Sequence, residues 1–261
     1  MVSGLSIGLI IFGIVFAIAI PTILAIVFKV KYKSSLKVFF IGCAVWFVFA
    51  MILEQILHTV VLLSPAGKAI QNNIWLYGIY AGLAAAVFEE TGRFLAMKFL
   101  LKKDYDNFHN ALMYGAGHGG FEAMFLLGLG MLNNLIYALM INAGQIESLL
   151  EPLGSEQKET MQQAIDGLIS TPSYMFLLGD FERVFAVILH ISFSVLVWIA
   201  VVKGKKSCLW MALVFHFVVD AVTVIVSGNG VPAWALEIIV FVMAVIIAVW
   251  ANKQWKKNLE E

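Results

Sequence analysis

The sequence predicts an all-α polytopic membrane protein, a bundle of about seven transmembrane helices. Of its 261 residues, 61% are hydrophobic and 13% are charged, whereas soluble domains are about 45–50% apolar and about 25% charged. A chain this apolar cannot cover a water-soluble surface. The composition therefore excludes a nucleic-acid-binding protein, a secreted disulfide scaffold and a soluble enzyme.

Seven apolar runs are long enough to cross a ~30 Å hydrocarbon core at about 1.5 Å per residue. They are continuously apolar rather than alternating, which predicts helices. The fourth is long enough to tilt or to break near Asn133 and Asn134. We expect one transmembrane domain over 1–261. The runs are 6–28, 38–63, 74–101, 108–140, 174–202, 208–227 and 232–252.

The basic residues predict the orientation of the chain. Thirteen of the 17 follow spans one, three, five and seven, and only Lys68 and Lys158 lie in the opposite loops. By the positive-inside rule, the N-terminus is outside and the C-terminus is cytoplasmic. The thirteen are Lys29, Lys31, Lys33, Lys37, Lys98, Lys102, Lys103, Lys203, Lys205, Lys206, Lys253, Lys256 and Lys257.

The largest loop, at about 142–173, is predicted to be external and is mostly acidic. Met161, Ile165 and Leu168 recur at helical spacing, which is consistent with a short amphipathic helix. A solvated connector is the favoured interpretation.

Charged groups inside a bilayer cost about 2.5–3.5 kcal/mol each, so each of them needs an explanation. Five such groups fall at one depth, roughly 15–20 Å from the cytoplasmic ends of four helices. They are Glu89, Glu90, His118, His190 and His216.

Helical spacing enlarges this layer. Arg93 shares a helix face with Glu89 and with Glu90, Glu122 with His118, and Asp220 with His216, because residues three or four apart are neighbours on a helix. Four carboxylates against one arginine must take up protons or share a divalent cation with the histidines. Either arrangement activates water and suits hydrolysis.

Six further polar residues are interpreted separately from this layer. Glu54 and His58 lie nearer the outer half of the membrane than this layer does. For these two residues, the sequence supports a place in the site and a structural role equally. Glu182 and Arg183 are expected to be structural, with Arg183 paired to a carboxylate near the outer interface. His109 and Asn110 are expected to serve a helix end.

Four segments of the chain together resemble the YhfC family of bacterial intramembrane metalloproteases, relatives of the PrsW and CAAX-prenyl-endopeptidase-like (CPBP) membrane proteases. The likeness extends over the whole chain. The segments are Phe88-Glu89-Glu90-Thr91-Gly92-Arg93, Gly115 to Glu122, Glu182-Arg183 with His190, and His216-Phe217-Val218-Val219-Asp220.

The resemblance implies that Glu89 and Glu90 are the water-activating or metal-linked pair and that Arg93 orients them. It makes His118, His190 and His216 ligands or oxyanion-side groups, with Glu122 and Asp220 in the same motifs. The provisional metal set is His118, His190, His216 and Glu90, for Zn²⁺ or another divalent ion. CAAX endopeptidases have E-E-x-x-x-R and F-x-x-x-H where this chain has E-E-x-x-R and H-x-x-x-E, so a prenyl-protein substrate is not implied.

The leading hypothesis is an intramembrane endopeptidase in a bacterial cell membrane, whose partners are the lipid bilayer and a membrane-protein or peptide substrate. The mechanism, by metal or by glutamate-activated water, remains open. One alternative is a proton- or cation-coupled transporter, because buried carboxylate and histidine chains also form proton relays. Another is a non-catalytic scaffold whose polar layer holds the helices together.

Overall fold

The computed structural model describes residues 1–259, apart from the side chain of Leu149, and these residues form helices and loops without a β-strand. Loops between the helices are short. In this part of the chain we number the helices α1 Gly4–Tyr32, α2 Leu36–Leu62, α3 Pro65–Gln71, α4 Ile74–Leu95, α5 Asn110–Asn142, α6 Glu147–Leu150, α7 Ser155–Ser170, α8 Met175–Val202, α9 Lys206–Gly228 and α10 Ala233–Leu259.

Six of these helices are long and apolar enough to cross a membrane, namely α1, α2, α5, α8, α9 and α10. The all-α polytopic fold is therefore confirmed. The run predicted at 74–101 forms α4, followed by a π-helical turn at Ala96–Leu100. Its 22 residues extend about 33 Å, but Glu89, Glu90 and Arg93 near its end make it less apolar than the others. Seven spans and the orientation of the termini stay predictions.

Helix α5 continues through Asn133 and Asn134, so the break considered at this pair is absent. Its irregularity is a π-helical stretch at Met124–Gly128. The part of α5 that contains the two asparagines packs along α1, and this contact supports an uninterrupted helix.

The segment after α5 is largely helical, so the solvated connector favoured for it is wrong over α7. Ile165 and Leu168 are buried, and Leu168 belongs to an apolar cluster with Val2, Ile10 and Phe176. Burial of this one apolar face is what stabilises an otherwise polar helix.

Glycines in α5 allow its neighbours to approach closely. A Cβ at Gly117 would overlap the carbonyl oxygen of Phe39 in α2, and one at Gly119 would lie 2.6 Å from the Cβ of His190 in α8. Small residues are the usual means of close helix packing in membranes. Helix α4 packs along α9, α5 contacts both α2 and α8, and α10 covers α8. This packing brings the polar faces of α4, α5, α8 and α9 together.

Candidate functional site

The structure brings the eight predicted site residues together in one buried network. Helix α4 contributes three of them, α5 and α9 two each, and α8 one. We call this group the Glu/His cluster; its members are Glu89, Glu90, Arg93, His118, Glu122, His190, His216 and Asp220.

Arg93 lies at the centre of the Glu/His cluster and is completely buried. Its guanidinium donates to Glu90 Oε1, to Glu89 Oε2 at 3.2 Å and to His190 Nδ1. Because α4 places both glutamates within one turn of Arg93, the ion pairs form inside one helix. The contact with His190 then ties α4 to α8.

Each histidine of the cluster faces a carboxylate. His118 Nε2 lies 2.8 Å from Glu89 Oε2, and His190 Nε2 lies 2.6 Å from Glu122 Oε2. His216 contacts two carboxylates, with Nδ1 2.7 Å from Glu90 Oε1 and Nε2 3.2 Å from Asp220 Oδ2. The predicted convergence of four helices at one level is thus present in the structure.

Glu89, His118 and His190 offer ligand atoms within 4.8 Å of one another, and all three residues are buried. Two ligands bound tetrahedrally to zinc at about 2.0–2.2 Å lie roughly 3.3–3.6 Å apart. The distances from Glu89 Oε2 to His118 Nε2, 2.8 Å, and to His190 Nδ1, 3.8 Å, lie on either side of this range. The donor set and its spacing therefore fit a divalent cation.

The second nitrogen of His190 strengthens this fit. A metal-binding histidine usually donates its other N–H to a carboxylate, which fixes the ring, and Glu122 is in that position. Arg93 donates to His190 Nδ1. A cation bound to this nitrogen would have to displace the Arg93 N–H from it. The carboxylate in this set of possible ligands is Glu89, whereas the sequence analysis named Glu90. Glu90 and His216 as ligands stay predictions.

A cavity of about 90 Å³ borders the Glu/His cluster between α5, α8, α9 and α10. Glu122, His190, His216 and Asp220 line it. Glu89 Oε1 lies 4.0 Å from His216 Nε2 and has no closer partner that the described residues show. This oxygen therefore keeps capacity for a further hydrogen bond.

Arg183 was expected to be structural, and it does pair with carboxylates, Glu182 and Glu122. Glu122 is itself a member of the cluster, so Arg183 borders the site and adds a second cation to it. The sequence analysis placed Arg183 outside the cluster because its position on α8 is about two turns above that of His190. The long arginine side chain spans that distance.

Glu54 and His58 form a separate ion pair of 3.2 Å, and His58 Nδ1 lies 2.8 Å from the hydroxyl of Tyr80 in α4. Glu54 is buried and lies within electrostatic range of Glu89 and Asp220, but it does not touch the Glu/His cluster. Tyr80 was not singled out from the sequence, because a tyrosine in an apolar helix carries no signal of its own.

His109 and Asn110 lie at the start of α5, as expected. The side chain of Asn110 accepts from the backbone N–H of Ser35 and donates to the carbonyl of Asp104, which ties the helix end to two loops. The ring of His109 stacks on Tyr32 at a centroid distance of 4.3 Å. Partial burial lowers the pKa of His109 below its usual value.

Comparison with known proteins agrees with this geometry. The family model described as YhfC intramembrane metalloprotease matches residues 16–253. The chain belongs to this family. The uncharacterized membrane protein YhfC of Bacillus subtilis (strain 168) is 38% identical to it over 240 residues, 91% of this chain and 92% of the relative. No solved structure matches the chain.

The match spans every helix that contributes to the Glu/His cluster. Multi-pass membrane insertion follows from the apolar helices and from the membrane-protein relative. The family description names a metalloprotease, and the buried Glu89, His118 and His190 are compatible with a metal.

Proposed function

We propose that this chain is an intramembrane endopeptidase that hydrolyses peptide bonds of membrane-embedded or membrane-proximal substrates at the Glu/His cluster. The observation that carries the proposal is the convergence of Glu89, His118 and His190 from three helices. Two imidazoles and a carboxylate are the ligand set of many hydrolytic zinc sites. Their burial inside a membrane helix bundle favours a substrate that also lies in or beside the membrane.

A divalent cation held by Glu89, His118 and His190 would supply a Lewis acid and a nucleophilic water. In this proposal the rest of the chemistry belongs to side chains of the chain. Glu89 Oε1 faces the gap to His216 and accepts the proton of the attacking water.

His216 is the proposed donor on the opposite side of that gap. Its two nitrogens face Glu90 and Asp220, and an imidazolium can donate to both carboxylates at once. Nε2 is the atom nearer to Glu89 Oε1, at 4.0 Å. From there an N–H can stabilise the oxyanion or protonate the leaving amine.

Arg93 and Glu122 position the reacting groups in this proposal. Arg93 donates to Glu89, Glu90 and His190 from one guanidinium and so holds the three side chains together. Glu122 receives His190 on one oxygen and Arg183 on the other, so the imidazole is fixed between α5 and α8. Both residues act through their neighbours, not on the substrate.

Cleavage by the reconstituted protein tests the proposal. The purified chain is placed in liposomes with a solubilised membrane-protein extract, and new peptide N-termini are counted by mass spectrometry. We expect Glu89→Gln to lower the cleavage rate by about 100-fold or more, because general-base catalysis contributes about 10²–10⁴. Asp180→Asn is the matched control, since Asp180 is a buried carboxylate of α8 that makes no contact with the cluster.

Three outcomes contradict the proposal. One is equal cleavage by wild type and Glu89→Gln. Another is ion-dependent uptake into the same liposomes without any new N-termini, which favours a transporter. The third is loss of folding in Glu89→Gln without any cleavage by folded wild type, which favours a scaffold.

A further inference from the structure

We propose that the Glu/His cluster takes its water and its substrate peptide from the membrane face on which α7 lies, through the cleft between α8, α9 and α10. The cluster is closed toward the opposite face. This inference rests on the proposed function and deepens it, because it names the side from which the same site is reached. Access of water to the cleft is measurable without any cleavage.

The polar side chains that line the cavity extend from the cluster toward one membrane face only, the face on which α7 lies. Measured from the ends of α8 and α9 that lie opposite α7, His216 is about 15 Å deep, Asp220 about 21 Å, Thr223 about 26 Å and Arg183 about 30 Å. Charged and hydroxyl side chains of the cavity therefore continue from the cluster toward the α7 face. With a hydrocarbon core of about 30 Å, Arg183 reaches the interface on that face.

Exposure is also higher on the α7 side of the cluster than at its centre. The side chains of Glu182 and Asp220 are 37% and 34% exposed, Arg183 and Glu122 are 13% and 12% exposed, and Arg93 and His118 are fully buried. Glu182, Glu122 and Asp220 all line the cavity of about 90 Å³. A polar cleft beside the cluster is a route for water, because charged side chains in contact with lipid would be costly.

The opposite side of the cluster is closed by apolar packing. The ring of Phe193 stacks on His216 at a centroid distance of 4.9 Å. Beyond it, Met97, Met113, Leu196 and Ile199 are fully buried in one apolar core. Close-packed interiors of this kind leave few voids large enough for water. The structure therefore offers no polar route to the cluster through this core.

A recess of about 200 Å³ also lies on that closed side, between α4 and α9. It touches Glu90, but its other walls include Phe94, Leu209, Trp210 and Leu213. Apolar walls that face the bilayer are filled by lipid chains, not by water. The recess meets the cluster only at Glu90, whose Oε1 is already engaged by Arg93 and His216, whereas four members of the cluster line the cleft.

A substrate suited to this cleft is a peptide segment that leaves the membrane on the α7 face. It would place its scissile bond beside Glu89 and His216, with the flanking residues between α8 and α10. Under the predicted orientation, this is the external face of the membrane.

Cysteine labelling in sealed membrane vesicles of both orientations tests the inference. Cys43→Ala and Cys208→Ala give a cysteine-free background, since these are the two cysteines of the sequence. Thr223→Cys reports on the cleft and Leu213→Cys on the recess. Ile238→Cys is the matched control, because Ile238 is 55% exposed at a similar depth on α10 and does not line the cleft. Exposed Gln163→Cys and Lys257→Cys identify the two faces.

With a membrane-impermeant methanethiosulfonate, we expect Thr223→Cys to react in the vesicles in which Gln163→Cys reacts. The rate should exceed that of Ile238→Cys by about tenfold or more, because only a hydrated thiol ionises to the reactive thiolate. Leu213→Cys should stay unlabelled in both vesicle types. Reaction of Thr223→Cys only together with Lys257→Cys, or in neither vesicle type, overturns the inference. Labelling of Leu213→Cys together with Lys257→Cys also overturns it. A labelled cleft in a protein that does not cleave contradicts the proposed function alone.

Discussion

At the scale of single residues, Arg93 is the arginine at the centre of the Glu/His cluster. It is fully buried and contacts Glu89, Glu90 and His190. A buried ion pair adds little net stability while intact, because desolvation offsets the Coulomb attraction. Removal of one partner is costly, because it leaves the other charges buried and uncompensated.

Replacement of Arg93 should therefore destabilise the fold. We expect Arg93→Met to lower the free energy of unfolding by about 3–5 kcal/mol. Arg93→Lys keeps the charge but loses the planar fork that reaches three acceptors, and it should lose less stability. Unfolding in mixed micelles, followed by circular dichroism, measures both variants. Equal stability of Arg93→Met and wild type would contradict the central role given to this residue.

Arg183 shows what sequence inspection at the residue scale did not find. Counting charges at one depth gave four carboxylates against Arg93 alone, whereas Arg183 reaches down to Glu122 from above. The carboxylate excess is therefore smaller than the sequence count indicated. Helical depth was predictable because the rise per residue is fixed. The reach of a long side chain between helices was not, because it depends on how the helices pack.

At the scale of helices, the three π-helical stretches within residues 1–259 adjoin polar residues of the interior. One ends at Glu54 in α2, one begins three residues after Arg93, and one begins two residues after Glu122. Such stretches often occur at functional sites. A wider turn changes which residues face the bundle, so it lets one long helix present a polar face to the cluster and an apolar face to lipid.

The glycines of α5 offer a test at this scale. Gly119→Ala should destabilise the fold by about 1–3 kcal/mol, because the new methyl group overlaps His190. It should also displace that imidazole and lower cleavage. Gly130→Ala is the matched control in the same helix, since a Cβ there has no neighbour within 4 Å. Thermal unfolding in detergent measures the difference, and equal melting temperatures of the two variants would contradict the packing described for α5.

Most helix boundaries were predictable to within about four residues, because apolar runs in a membrane protein have to be helical. The exception is α10, which continues to Leu259, seven residues beyond the predicted end at 252. The π-helical stretches were not predicted, and the short amphipathic helix indicated by Met161, Ile165 and Leu168 was ranked below a solvated connector. Leu168 in α7 is buried in a cluster with Val2 and Ile10, which are distant in sequence, and no local pattern encodes that contact. The break considered at Asn133 and Asn134 was wrong, because packing along α1 stabilises this stretch of α5.

At the scale of the whole molecule, the zero net charge separates into three populations. Basic residues concentrate in the loops at one end of the bundle, acidic residues on the segment around α7 at the other, and a mixed group forms the interior network. In the proposed function, a polar interior that opens toward one face and is closed by apolar packing toward the other would combine hydrolysis with a sealed membrane. Such a function would also account for the buried carboxylates and histidines of so apolar a chain.

The metal content of the purified protein tests the central claim most directly, namely that Glu89, His118 and His190 form one hydrolytic metal centre. Elemental mass spectrometry of protein purified without chelators should find about one divalent ion per chain. His118→Ala should lower that content at least about tenfold, since loss of a ligand removes more affinity than loss of an outer partner, which costs 10–100-fold. His109→Ala, at the end of α5, should leave it unchanged. Metal-free wild type that still cleaves, or a metal content that His118→Ala leaves intact, would contradict the account.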